Sequence, residues 1–372
     1  MGNYSTYSFA GQVVYIGIDV HKNSWHVTEV CAGAVVHMSQ MPPSAQKLAE
    51  HLRGKYPDAA QFRSVYEAGC CGFHIHHELE AQGIRNIVVN PADVPTNGKE
   101  RQGKNDSVDS RKLALTLCAG LLCPIYIPAA DQLRFRDLVR RESQVVHDVT
   151  RAKNRIKSHL LLQGSGLSSW GRRELANLSA RATASGDVAL RLKIDSLNSL
   201  KAERKSVISS ETDMLAALNR LELFNHLKSI PGIGRGVALT LISELWDMKR
   251  FRTREALCSY AGVAPSLYGS GEHQTTRGAG ARKNDLMHRQ LVEAAWNAIM
   301  HDANLHKVYD AQKRKTGGCP QKAICVVARK LLLIARAIWL SGTDYRKSEP
   351  AQDAAQGDTG GKKQAQASAI HT

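Results

Sequence analysis

The first ninety residues carry apolar positions in short runs bounded by turn residues, the pattern of strands. Val13 to Ile18 is β-branched and apolar and predicts a buried central strand, closed by Asp19. Ser24 to Val30 and Ala34 to Met38 predict two more strands, separated by Ala32-Gly33. Ser44 to Arg53 then predicts a short helix, Phe62 to Tyr66 a fourth strand running into Glu67-Ala68-Gly69, Phe73 to Gln82 a helix, and Ile84 to Val89 a fifth strand stopped by Asn90-Pro91. Beyond Lys104 the apolar period lengthens to that of helices. Asp131 to Leu162 contains no Gly or Pro, and Leu138, Val145, Val149, Ala152, Ile156 and Leu160 recur at three- and four-residue steps. Gly164-Ser165-Gly166 interrupts this helix, and a second helical pattern covers about Val188 to Leu223, so the two read as a long antiparallel coiled coil. Leu286 to Ile299 and Ile324 to Leu340 predict apolar helices, with Trp296 and Trp339 as core residues. From Tyr345 onward the periodicity ends, and the tail reads as disordered.

The order βββαβαβ at the N-terminus is that of the RNase H-like fold, in which the first strand is central and the fourth lies beside it. Four segments follow: residues 1–128 as an α/β catalytic domain, 129–223 as the coiled coil, 224–344 as a mostly helical domain, and 345–372 as the tail. Fifty Lys and Arg against 34 Asp and Glu give a net charge of +16, which points to a polyanionic partner, nucleic acid by default. The eight cysteines form no C-x-x-C pair and read as reduced thiols. No leader-like N-terminus and no long apolar run is present, so the expectation is a soluble protein of the cytosol or nucleoid.

Charge raises the interest of the acids that interrupt this frame. Asp19 and Glu67 sit at the ends of the first and fourth strands, which the fold places at one edge of the sheet. Asp106 and Asp109 are three apart at the start of a helix, within the basic stretch Lys104 to Lys112, and share one helix face. Helix capping accounts for one such Asp. Four converging carboxylates suit two hard divalent ions, Mg²⁺ or Mn²⁺, acting on a phosphodiester. Further on, Ile230-Pro231-Gly232-Ile233-Gly234-Arg235 lies between two apolar segments as a helix-hairpin-helix, with Pro231, Gly232, Gly234 and Arg235 placed to meet a phosphate. Gly262 to Lys283 reads as a loop in which Gly269 and Gly271 flank Ser270, with Arg277, Arg282 and Lys283 following. A flexible glycine loop without catalysis is the plain alternative.

Taken together, Gly17-Ile18-Asp19-Val20-His21-Lys22, Tyr66-Glu67-Ala68-Gly69, Lys104-Asn105-Asp106-Ser107-Val108-Asp109, Ile230-Pro231-Gly232-Ile233-Gly234 and the Gly262 to Gly271 loop make the chain resemble the insertion-sequence one-ten family of transposases. That resemblance implies a RuvC-like domain whose Asp19, Glu67, Asp106 and Asp109 bind metal, and a second domain whose Ser270 forms a phosphoserine link to DNA. It further implies a structured noncoding guide RNA and a homo-oligomer, dimer or tetramer, that shares sites between subunits. Ser110 stands where the family usually has Ala, and Arg282-Lys283-Asn284-Asp285 replaces its basic-glycine turn. Ser266 is the competing nucleophile. The rival readings are a RuvC-like nuclease with no covalent intermediate and a non-catalytic nucleic-acid-binding protein; an actin-like kinase also opens with Gly-Ile-Asp, but His21-Lys22 stands where its phosphate loop would follow.

Overall fold

The β-branched run becomes β1 (Val13–Val20), the central strand of a five-stranded sheet. The structure is a computed structural model describing residues 9–95, 106–270, 273–279 and 283–346. It falls into two units that meet in sequence at Ala129 and Ala130. The N-terminal unit continues through β2 (Trp25–Cys31), β3 (Ala34–Met41), α1 (Ala45–Lys55), β4 (Gln61–Glu67), α2 (His74–Ala81), β5 (Arg85–Val89) and α3 (Asp106–Cys118). Spatial order is β3-β2-β1-β4-β5, with β1 antiparallel to β2 and parallel to β4. This is the RNase H-like arrangement expected from the sequence. The β2–β3 turn uses left-handed backbone at Ala32 and Gly33, as a two-residue hairpin requires.

Strand period divides the sheet into two faces. Val14, Ile16 and Ile18 pack with Leu48 and Leu52 of α1 and Leu79 of α2 in one core cluster. On the opposite face Val65 and Val89 pack with Leu113 of α3. Burial of each such side chain stabilises by about 1.5–3 kcal/mol. The odd-numbered residues of β1, among them Gly17 and Asp19, therefore belong to the α3 face.

The C-terminal unit begins with α4 (Ala130–Leu162), α5 (Arg172–Ala184) and α6 (Val188–Ala217). Arg141 pairs with Glu203 at 2.5 Å and His159 with Asp187 at 2.7 Å, so α4 and α6 run antiparallel. Ala152, Ile156 and Leu160 meet Leu190, Ile194 and Leu197, and Leu175 and Leu178 of α5 close the cluster. α5 was not anticipated. It arises after the glycine break because Leu175, Leu178 and Ala182 fall on one helical face. The second helical pattern is also shorter than expected, since left-handed Asn219 separates α6 from α7 (Leu221–Lys228).

Then come α8 (Arg235–Leu245), α9 (Arg254–Tyr260), β6 (Pro265–Ser270), β7 (His273–Ala279), α10 (Asp285–His301), α11 (Ala303–Lys315) and α12 (Pro320–Ser341). α8 is buried from Ala238 to Leu245 and packs with α10 and α12 around the largest core cluster. The segment read as a loop is an antiparallel hairpin, β6–β7. Trp296 is not a core residue: it is 41% exposed and edges onto Tyr309. Tyr345, assigned to the tail, is docked, its hydroxyl donating to Asp302 Oδ2 at 2.7 Å. The rest of the expected disordered tail, residues 347–372, lies outside the described residues. No helix among the described residues is long and apolar enough to cross a membrane, and all eight cysteines are free thiols.

Candidate active site

Register fixes the first two acids. β1 and β4 pair in parallel up to Ile18 opposite Tyr66, so Asp19 and Glu67 follow side by side, one residue past the last pair. Glu67 is also opposite Val89 of β5. Both acids fall on the α3 face, because Gly17 and Val65, two residues before them, meet that helix or its cluster. The Asp19 side chain is 22% exposed, and its Oδ2 lies 3.1 Å from His21 Nε2. His26 is the cross-strand partner of Asp19 on β2.

The helix bearing the other two acids is seated by small residues. A Cβ on Gly17 would stand 2.1 Å from the Ser110 carbonyl oxygen and 2.5 Å from the Ala114 nitrogen, so α3 lies directly against the β1 backbone. Ser110 and Thr28 are buried, and their hydroxyls share a hydrogen bond of 2.9 Å. That contact satisfies a threonine hydroxyl that is otherwise out of reach of water. Asp109 immediately precedes Ser110 and is half-buried. Asp106 is the first residue of α3, and its side chain lies outside the described residues.

The acids share a face, yet Asp19, Glu67 and Asp109 are not gathered to metal-ligand spacing. Among the described residues the donor cluster at that spacing is Glu29, His37 and His51 instead. The donor set nonetheless fits a hard divalent ion, since it offers carboxylate oxygen only.

In the C-terminal unit, Pro231 to Gly234 turns between α7 and α8. Gly232 has φ of 83°, and a Cβ there would stand 2.3 Å from the Ala294 carbonyl oxygen of α10, so this glycine serves close packing. Gly234 is exposed and caps α8 without a side-chain hydrogen bond. Arg235 is drawn inward: its guanidinium reaches Glu142 at 3.2 Å, Glu211 at 2.5 Å and the Ile208 carbonyl at 3.1 Å, joining α8 to α4 and α6. Burial, and then the neighbouring Glu142 charge, push the Glu211 carboxyl up to about 7.

Ser270 ends β6 and pairs with His273, while Ser266 pairs with Arg277 near a register shift. The side chains of Ser266, Ser270 and Arg277 lie outside the described residues, as does Arg282 entirely. The base of the hairpin is held by side-chain contacts. Asn284 caps α10 by accepting from the Met287 N–H, and it donates to Glu244 Oε2 at 2.8 Å. Glu244 is 1% exposed and is held bidentately by Arg140 at 2.7 and 3.0 Å. His288 Nδ1 lies 2.8 Å from the Gly262 carbonyl, and the Lys283 stem packs on left-handed Gly262. Asn284 thus anchors the start of α10 to Glu244. Sequence reasoning missed Gly17, Ser110, Glu244 and Asn284 as positioning groups; a glycine inside a β-branched strand was the one legible signal.

The N-terminal unit is thus an RNase H-like sheet with Asp19 and Glu67 adjacent on the face that α3 covers. Residues 16–163 match the family model of the DEDD transposases of the IS110 type, and residues 224–310 match the model described as "Transposase IS116/IS110/IS902 family". The chain is 26% identical over 361 residues to "Putative transposase y4rJ" of Sinorhizobium fredii, covering 88% of this chain and 91% of that protein. It is 22% identical over 244 residues to the transposase for insertion sequence element IS1111A of Coxiella burnetii, covering 64% and 66%. With the transposase for insertion sequence element IS1328 of Yersinia enterocolitica it shares 23% over 350 residues, covering 90% and 99%. The chain belongs to the IS110 family of transposases, and it is an enzyme of that class.

Proposed function

We propose that this transposase cuts and rejoins DNA strands with Mg²⁺ or Mn²⁺ held by Asp19, Glu67, Asp106 and Asp109 and with Ser270 as nucleophile, guided by a structured noncoding RNA and working as a dimer or tetramer. The observation that carries the reading is the side-by-side placement of Asp19 and Glu67 on the face covered by α3. A divalent cation bound there supplies charge for the phosphate oxygens and for the leaving oxygen. Asp19 and Glu67 hold their side of the site from rigid strands, and Asp109 and Asp106 complete it from α3. His21 fixes the Asp19 carboxylate from outside.

Ser270 Oγ gives up its proton and attacks phosphorus, the bond to one deoxyribose oxygen breaks, and that oxygen takes up a proton. One ester is exchanged for another, so strands are rejoined without an external energy source. Arg277, Arg282 and Lys283 bear on the negative charge of the transition state. Pro231, Gly232 and Gly234 shape the turn that offers the α8 N-terminus to backbone phosphate, with Arg235 positioning that turn through Glu142 and Glu211. The net charge of +16 supports both DNA and RNA as partners.

The test is strand transfer on element-end DNA with Asp19→Asn, Glu67→Gln, Asp106→Asn and Asp109→Asn, each with and without EDTA. Loss of activity in every variant and in EDTA is expected. Full activity in EDTA, or in any two of the variants, refutes a shared metal site.

A further inference from the structure

The sheet face opposite the acid pair carries a second set of donors. Glu29 of β2 faces α1, and its cross-strand partner is His37 of β3. His51 comes from α1. One donor atom from each lies within 4.8 Å of the other two, the one such cluster among the described residues. The Glu29 side chain is fully buried, whereas His51 is 31% exposed. The two imidazoles stack with centroids 5.6 Å apart and planes at 27°.

The carboxylate oxygens are differently engaged. Oε2 accepts from the Tyr56 hydroxyl at 2.5 Å and from Lys55 Nζ at 3.1 Å. Oε1 lies 2.7 Å from His51 Nε2. One oxygen is therefore fixed by the protein and the other is turned toward the imidazoles. This is the division found where a carboxylate ligates through one oxygen and is oriented through the other.

We propose that Glu29 Oε1, His37 and His51 form a cation site for Zn²⁺ or a similar borderline metal, separate from the acid site and independent of the function proposed above. Two imidazole nitrogens and one carboxylate oxygen are a zinc donor set, and nitrogen donors disfavour Mg²⁺. Bonds of about 2.0–2.2 Å in tetrahedral geometry put ligand atoms roughly 3.3 Å apart. The Oε1 to Nε2 distance opens by about half an ångström and the longer separations close, which side-chain rotation supplies. The half-exposed rim leaves the fourth position to water. Lys55 opposes a cation here, but its side chain is 32% exposed and can turn to solvent. The bound ion would join β3, the edge strand with alternating exposure, to β2 and α1.

The test uses the full chain carrying Asp19→Asn and Glu67→Gln, which removes binding at the acid site, after dialysis against chelator. Zn²⁺ is titrated calorimetrically, and Co²⁺ is followed by its visible absorption. One Zn²⁺ per chain is expected, with the intense Co²⁺ bands of four-coordinate geometry and no competition from millimolar Mg²⁺. His37→Gln and His51→Gln should each weaken Zn²⁺ on the order of 100-fold, and Lys55→Gln should tighten it. Circular dichroism checks that each variant is folded, and the Lys55→Gln arm reads the site with all three ligands intact. Zinc binding unchanged in the His37→Gln/His51→Gln double variant places the ion elsewhere, at Cys70 and Cys71 for example, and overturns the proposal. So does the absence of zinc binding in both the parent and the Lys55→Gln chain.

Discussion

Gly17→Ala perturbs the acid site while leaving every acid in place. The new Cβ would stand 2.1 Å from the Ser110 carbonyl oxygen and 2.5 Å from the Ala114 nitrogen. Both are backbone atoms of α3, so no side chain can swing aside, and the helix must retreat by roughly 1 Å to restore ordinary contact. Overpacking of this kind costs about 1–3 kcal/mol. For a unit of this size that lowers the melting temperature by roughly 4–15 °C. The retreat carries Asp109 away from Asp19 and Glu67, and a misplacement of about 1 Å at a reacting centre costs on the order of 100-fold in rate. DNA binding through phosphate contacts should stay within about twofold. Gly54→Ala is the control, because a Cβ there meets nothing within 4 Å and the residue lies inside α1. Calorimetry, strand-transfer rates and fluorescence anisotropy on labelled element ends read the three quantities. A Gly17→Ala protein with the parent's melting temperature and rate refutes the seating of α3 on β1.

Arg235→Ala leaves the buried carboxyls Glu142 and Glu211 without their shared guanidinium and should destabilise the C-terminal unit by about 3–5 kcal/mol; unchanged melting with a shallower salt dependence of DNA binding would make Arg235 a phosphate contact instead. Glu211, pushed up to about 7, disfavours the folded state as it ionises, so stability should fall as pH rises from about 4.5 to 7 and level off above. Glu211→Gln should flatten that slope in denaturant titrations at pH 5, 6, 7 and 8. Asn284→Ala removes the α10 cap and the contact to Glu244, so a loss of about 1 kcal/mol and a fall in turnover with unchanged DNA affinity are expected. DNA affinity should drop steeply between 50 and about 200 mM salt, and a flat titration would exclude phosphate-dominated binding.

The sheet was legible because its strands are β-branched runs bounded by turn residues, and because βββαβαβ admits few topologies. The adjacency of Asp19 and Glu67 was legible from the same order, which places the first and fourth strands side by side. α5 escaped notice because its apolar positions are few and its flanks are glycine and serine. The β6–β7 hairpin was masked by the glycines that also make it look like a loop. Trp296 shows the limit of composition, since a tryptophan on an amphipathic helix can cover a neighbouring ring and stay half in water. Contacts far apart in sequence, such as Ser110 with Thr28 or Asn284 with Glu244, leave no local periodic trace.

The attack of Ser270 on DNA is tested most directly by stopping strand transfer with denaturant and digesting the protein for mass spectrometry of DNA-linked peptides. A nucleotide remnant is expected on the peptide containing Ser270, formed only with Mg²⁺ or Mn²⁺, absent from Ser270→Ala and Glu67→Gln and retained by Ser266→Ala. DNA cleaved by Ser270→Ala at the parent's rate, with no peptide carrying DNA, would contradict it and make water the nucleophile.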